Sequence, residues 1–506
     1  MLSLRRLVLV LFSCVVFGSP ALATWSIVAL NTRTGEVCVA SATCIASFPL
    51  ERWLAVLSVG KGGAAAQSAV DSTGANRLTI WNGLQSGATP AEILEQLAQS
   101  DPSHQGRQYG IVSFDGDPVS FTGWSAGLAR SSVSGVAGEI MFAIQGNVLT
   151  DEAVIWDAQS AFLTTKGDLI TKVMAGMEAA RALGGDGRCS CMPNNPTICG
   201  APPPGFTHSA YTGFVALARP GDTEGTCAIG PGCASGDYFL NLQVIGNASQ
   251  LDPILQLEQQ YHAWRAAKAG IPDHFLTEVN LSAQRLVADG LSSMDVVVRL
   301  VDIEGAPLTT GGQTLTLVQT NPGPAVAIPG PISDNGDGTH SFSIQSTSMN
   351  GRGRWDLLVQ QGTETVQLHP GIEILVDEVR ELHAGWVELP ATSGASVPFT
   401  FNVPAEAGRS YLLLGSASGT QPGVPWNGQT LALNPDRFFE FLLAHPGAPH
   451  FAGSMGNLDS AGRATALLDL PTGAWNLLGG QTLHFRAVLL GTPDEFTNGV
   501  SFSVRP

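Results

Sequence analysis

The chain has 506 residues, of which only 13% are charged, and it contains 59 glycines. That length exceeds what one core organises, and the composition favours short strands and turns over long solvated helices. A net charge of −17 opposes binding to nucleic acid or anionic membranes, and the sequence holds no basic patch, phosphate-cradling loop or dinucleotide fingerprint.

Arg5 and Arg6 precede an apolar run over residues 7–17, and Ala21-Leu22-Ala23 places small residues at −3 and −1 of a cleavage point. These features predict a signal peptide over 1–23, cut after Ala23, and an exported (secreted or periplasmic) protein whose first residue is Thr24. A competing reading takes Leu11-Phe12-Ser13-Cys14 as a lipoprotein box, leaving a lipidated Cys14. No later apolar run has a spanning length.

Strands are expected at 24–31, 36–42, 52–59 and 63–69, then helices at 74–84 and after Thr89-Pro90-Ala91-Glu92, a start signal with Thr at N-cap, Pro at N1 and Glu at N3. Strands follow at 108–114, 119–122 and 140–145, and helices at 151–163 and 169–183, the second capped by Asp168. Cys189, Cys191, Cys199, Cys227 and Cys233 then crowd one Gly/Pro-rich segment. In an exported chain this reads as a disulfide-stapled loop; zinc is the competing reading, although the spacing matches no common pair of knuckles. With Cys38 and Cys44, the seven cysteines beyond the leader leave an odd thiol. Strands at 211–218 and 238–245 and a helix at 252–268 close this region. From about residue 277 the texture changes to regularly spaced strands with Gly/Asp/Pro turns and almost no helical period. Asp334-Asn335-Gly336-Asp337-Gly338 is one such turn, its aspartates suited either to turn backbone or to calcium.

The expected domains are therefore 24–270 with a cysteine-rich insertion over 187–236, an immunoglobulin-like β-sandwich over 277–380, and a C-terminal β-sandwich over 381–506. The fold class is α+β. Two strand pairs, two helices, further strands and two more helices are compatible with a four-layer αββα sandwich, followed by two all-β sandwiches.

A threonine at a free N-terminus carries both halves of a catalytic pair. Its Oγ is the nucleophile, and its α-amine, with a pKa of about 7.7–8.0, is the base. The blocks Thr24-Trp25-Ser26-Ile27-Val28-Ala29, Val39-Ala40-Ser41, Gly63-Ala64-Ala65-Ala66-Gln67, Arg107-Gln108-Tyr109-Gly110-Ile111-Val112, Thr122-Gly123, Gln145-Gly146-Asn147-Val148-Leu149 and Gly184-Gly185-Asp186 occur in this order. Residues 24 to about 265 thereby resemble the bacterial family called domain of unknown function 1028, placed in the N-terminal nucleophile (Ntn) hydrolase superfamily. In cytosolic members the matching threonine follows the start methionine; here signal peptidase would expose it. The chain departs from the family at Phe121, where a histidine is usual, at the cysteine loop before His208-Ser209-Ala210, and at Ile245-Gly246-Asn247, where the family has an acidic stretch.

The resemblance implies Thr24 as nucleophile. Gln145 and Asn147, with the backbone N–H groups that follow, are candidates for an oxyanion hole. Asp186 with Arg188 would orient the amine or bind substrate; a surface ion pair is the plainer reading. Arg107, Ser41 and Lys61 are candidate substrate contacts, Lys61 competing with a hairpin-tip charge and Arg107 with a salt bridge at the edge of the core. His104 reads as a loop residue, and Trp25 and Trp53 as core. No metal or cofactor is expected. The expected activity is amide hydrolysis through an acyl-enzyme, on a small-molecule or peptide amide. The two β-domains would contact a cell surface or glycan. The alternative is an exported binding or adhesion protein that keeps the scaffold without turnover.

Overall fold

The computed structural model describes residues 24–228, 232–321, 324–392, 394 and 396–506; the expected leader, with its cleavage point and Cys14, lies outside them. The chain divides into two compact units, one ending at Ala267 and the other covering Lys268–Pro506.

In the first unit β1 (Thr24–Asn31) and β2 (Val37–Thr43) form a hairpin whose strand residues are all buried. A short helix α1 (Leu50–Leu54) leads into β3 (Ala55–Ser58) and β4 (Gly62–Ser68). One strand was expected over 52–59. Its first half is helical instead: Leu50-Glu51-Arg52-Trp53-Leu54 lacks β-branched residues and follows Pro49, which tolerates a helix start. Then come α2 (Ala75–Ser86) and α3 (Pro90–Ser100), the latter opened by the expected capping box: Thr89 Oγ1 accepts from Glu92 N, and the Glu92 carboxylate accepts from Thr89 N. β5 (Arg107–Ser113), β6 (Val119–Thr122), β7 (Ser131–Ala137) and β8 (Ile140–Asn147) follow. β7 was not anticipated: its Ser/Gly-rich, largely half-exposed sequence has no apolar alternation. Helices α4 (Ala153–Thr164), α5 (Leu169–Ala182) and α6 (Gly187–Ser190), strands β9 (Thr212–Ala218) and β10 (Leu240–Ile245), and helix α7 (Pro253–Lys268) complete the set.

Two sheets result, ordered β10-β9-β2-β1-β8-β7 and β3-β4-β5-β6. The period of two along β1 explains the packing. Trp25, Ile27 and Ala29 join a core with Val154, Ala158, Val173, Met177 and Leu257 from α4, α5 and α7. Val28 and Leu30 point the other way, toward Leu57, Ala65 and Val112 of the second sheet. That sheet's far face (Ala64, Tyr109, Ile111) packs on Ile80, Leu84, Ile93 and Leu97 of α2 and α3. Thr24 and Ser26, in phase with Val28, therefore lie on the face between the sheets.

Three disulfides form: Cys44–Cys189, Cys191–Cys199 and Cys227–Cys233; Cys38 is buried with a free thiol. Among the described residues no helix is long and apolar enough to cross a membrane.

The second unit is built of paired sheets. Glu278–Leu281, Ser293–Arg299, Thr339–Ser346 and Ala327–Pro329 form one sheet, and Arg285–Val287, Glu364–Asp377, Gly351–Gln361 and Thr314–Gln319 another. They share a core of Val296, Ile344, Trp355 and Ile374. The C-terminal sheets enclose Phe399, Phe451, Phe485, Phe502 and Trp475. This part is not purely β: Arg437–Ala444, capped by Asp436 accepting from Phe439 N, and Thr472–Leu477 are helical. In the Asp334–Gly338 turn both aspartates accept turn N–H groups, from Gly312, Gly336 and Thr339.

Candidate active site

Thr24 opens β1. Its partners across the sheet are Asn147 of β8 and, one step beyond the Trp25–Ala42 pair, Thr43 of β2. All three side chains share the inter-sheet face and are almost wholly buried, Thr24 being 1% exposed. Thr24 Oγ1 donates to Thr43 Oγ1 at 3.5 Å, and Arg188 Nη2 donates to the same Thr43 oxygen at 3.2 Å. Arg188 in turn grips Asp186 with Nη2 to Oδ2 at 2.7 Å and Nε to Oδ1 at 3.1 Å. Asp186 is completely buried and also accepts the backbone N–H groups of Cys44 (2.7 Å) and Arg188 (3.0 Å). Burial pushes its carboxyl above the usual carboxylate range, against the opposing pull of Arg188 and the backbone donors. The surface-pair reading of Asp186 and Arg188 is thereby corrected: the carboxylate is interior, and its partner cation is one hydroxyl away from Thr24.

The other wall is equally specific. Gln67 of β4 donates from Nε2 to the Thr24 carbonyl at 3.0 Å and to Gln108 Oε1 at 2.8 Å. Ser26 Oγ lies 2.9 Å from Ser41 Oγ and also reaches Gln67 Oε1. Asn147 Nδ2 donates to Ser68 Oγ at 3.3 Å, and Ser68 Oγ donates to the Ala126 carbonyl at 3.0 Å. Ser68 (φ 73°) and Val148 (φ 53°) both hold left-handed backbone that such residues rarely adopt. Ser68 ends β4 and Val148 directly follows β8, beside the Asn147–Thr24 pair; backbone strain of this kind clusters at functional sites.

The remaining candidates separate. Gln145 is buried two residues inward from Asn147, with neither amide atom hydrogen-bonded, pressed over Gly110, where a Cβ would stand 2.1 Å from its Oε1. The backbone part of the expected oxyanion hole is not free, because the N–H groups of Val148, Leu149 and Thr150 already donate to the carbonyls of Leu128, Ala129 and Gly185. The Ser41 hydroxyl donates to the Trp25 carbonyl at 2.8 Å within the sheet. Arg107 lies on the opposite face of β5 from Gln108, paired with Asp101 at 2.7 Å. Despite burial, hydrogen bonds from Arg107 and Asn76 hold Asp101 down at about 2. Lys61 precedes β4 while Gln67 nearly ends it, so Lys61 stands about 20 Å from the Thr24 end of the sheet. His104 is no loop-tip residue: it is buried and stacks on Phe121 with ring centroids 4.1 Å apart.

Sequence reasoning missed Thr43, Ser68 and Gln67. The signal was present for two of them: alternation through Ser41 puts Thr43 on Thr24's face, and Gln67 closes a block already matched to the family. Ser68 carries no sequence signal, since its role rests on a backbone conformation.

The model of a family described as "Family of unknown function (DUF1028)" matches residues 24–191. No curated protein matches the chain. Among solved structures it is similar to a protein from Silicibacter pomeroyi described under the same family, at 19% identity and a TM-score of 0.36 over 48% of this chain and 85% of that one. It is also similar to the adhesin InvE of Yersinia pseudotuberculosis, at 14% identity and a TM-score of 0.18 over 45% of this chain and 59% of that one. Invasin, described as a bacterial integrin-binding protein, matches at 11% identity and a TM-score of 0.18 over 79% of this chain and 56% of that one.

Proposed function

We propose that residues 24–270 form a four-layer αββα unit of the N-terminal nucleophile type, exported by a leader cut after Ala23, and that Thr24 hydrolyses an amide. The observation that carries this reading is the linkage Thr24–Thr43–Arg188–Asp186 on the face between the sheets. Cleavage would free the α-amine next to the Thr24 hydroxyl. The amine takes the Oγ proton, directly or through one water, as Oγ attacks the amide carbon. The Arg188 cation behind Thr43 favours negative charge developing on Oγ, and Asn147 Nδ2, on the residue paired with Thr24, is a side-chain donor for the oxyanion. The amine then passes its proton to the leaving nitrogen as the C–N bond breaks, leaving an ester on Oγ. Water, deprotonated by the same amine, cleaves that ester to the carboxylic acid and restores the threonine. The Gln67 bond to the Thr24 carbonyl fixes the residue while this happens.

A second reading, an exported binding protein that keeps the scaffold without turnover, draws on one observation: Thr24 is 1% exposed. A β-lactone, which acylates an N-terminal threonine on Oγ, separates the two. The hydrolase reading expects an adduct on Thr24 and none in Thr24→Ala, with amide hydrolysis falling on the order of a thousandfold or more in that variant. Undiminished hydrolysis by a correctly processed Thr24→Ala protein would falsify the catalytic role.

A further inference from the structure

Two loops flank the end of β8, and each exposes two large apolar side chains among polar ones. The first, residues 123–129, reads Gly-Trp-Ser-Ala-Gly-Leu-Ala; the second, 191–199, reads Cys-Met-Pro-Asn-Asn-Pro-Thr-Ile-Cys. Neither contains a charged side chain, in a chain whose net charge is −17. Trp124 is 73% exposed, Leu128 62%, Met192 72% and Ile198 60%.

The backbone that carries these side chains is pinned. Val148 N donates to Leu128 O at 2.8 Å, and Leu149 N to Ala129 O at 3.2 Å. On the other side Gly187 N donates to Val148 O at 3.0 Å, Ile198 N to Leu149 O at 3.3 Å and Cys199 N to Thr150 O at 3.0 Å. The Cys191–Cys199 disulfide closes the second loop, and Ser68, the hydrogen-bond partner of Asn147, anchors the first through Ala126. Exposed apolar side chains on pinned backbone gain from burial against a ligand without the ordering cost a floppy loop would incur.

We infer that Trp124, Leu128, Met192 and Ile198 form a substrate subsite for an extended apolar group, and that the amide cleaved at Thr24 carries a long acyl chain. The inference rests on the reading of Thr24 as nucleophile. Continuity with that site sets the occupant: both loops bond to residues 148–150, immediately after Asn147, the residue facing Thr24.

The test compares two β-lactones, one with a methyl and one with an octyl substituent, on the full exported chain. The octyl lactone is expected to acylate Thr24 at least tenfold faster, and this ratio to collapse toward one in a Trp124→Ser/Met192→Ser double variant. Val136→Ser, an exposed apolar position at the far end of β7, is the control and keeps the ratio. Equal rates for the two lactones, or a ratio unchanged in the double variant, overturn the subsite. A second measurement stands apart from the chemistry: calorimetric titration of Thr24→Ala protein with N-octanoylglycinamide and N-acetylglycinamide. The octanoyl compound should bind at least tenfold tighter, and only while Trp124 and Met192 are present; equal binding overturns the subsite. Failure of both lactones to label Thr24, with octanoyl-selective binding intact, overturns the nucleophile and leaves the rim standing. Rim-dependent sedimentation with phosphatidylcholine vesicles would overturn the substrate assignment in favour of a lipid surface.

Discussion

The sequence singles out Thr24, Asn147, Asp186 and Arg188 as candidates, but not Thr43 and Ser68, which hydrogen-bond between them. Arg188 looks like a surface cation in the sequence because nothing local reveals that the neighbouring carboxylate will be sealed from water. Thr43 acquires its role from strand register, and Ser68 from a φ of 73°. Gln145 shows the reverse: the pattern that singled it out is real, yet one strand pair of separation puts it deeper between the sheets than the site. Nothing in the local pattern singles out Glu51. Burial raises its carboxyl from 4.5 to about 7, although Asn241 donates to it at 2.9 Å. The raised value means the folded state holds this proton more tightly than the unfolded chain. Its contribution is therefore full below about pH 4.5 and is lost as pH rises toward 7. In urea unfolding, the protein should lose on the order of 3 kcal/mol more than Glu51→Gln between those limits. Equal pH slopes for the two proteins would refute the assignment.

Among the elements, those with a strong period or a chemical signal at their ends emerged from the sequence; α3, with its capping box, and α5, capped by Asp168, are examples. β7 and α1 did not, the first because a Ser/Gly strand has no stripe to read and the second because five residues hold too little periodicity. Cysteine pairing was also hidden, since Cys44 and Cys189 are 145 residues apart. That bond has a consequence for the site: Cys44 follows Thr43 and donates its N–H to Asp186, while Cys189 follows Arg188. The disulfide thus clamps the end of β2 to the segment bearing the buried ion pair. A Cys44→Ser/Cys189→Ser protein should lose roughly 2–5 kcal/mol of stability, and its Thr24 should react with the methyl β-lactone more slowly by at least tenfold. A protein destabilised in denaturant but labelled at the original rate would show that the bond supports the fold and not the site.

For the whole molecule, all three disulfides lie in the first unit and none in Lys268–Pro506 among the described residues. The helices Arg437–Ala444 and Thr472–Leu477 were invisible in a stretch dominated by turn residues. Calorimetry should resolve two unfolding transitions, of which a reductant lowers only one. A single transition, or equal shifts in both, would show that the units do not unfold independently.

Catalysis by one residue that supplies both hydroxyl and base requires an unblocked amine on Thr24. Tryptic mass spectrometry of the exported protein reads this directly. The expected result is the peptide of residues 24–33, Thr-Trp-Ser-Ile-Val-Ala-Leu-Asn-Thr-Arg, with a free α-amine at its start. A first peptide that begins elsewhere, an acylated Thr24 amine or a lipidated Cys14 would contradict it.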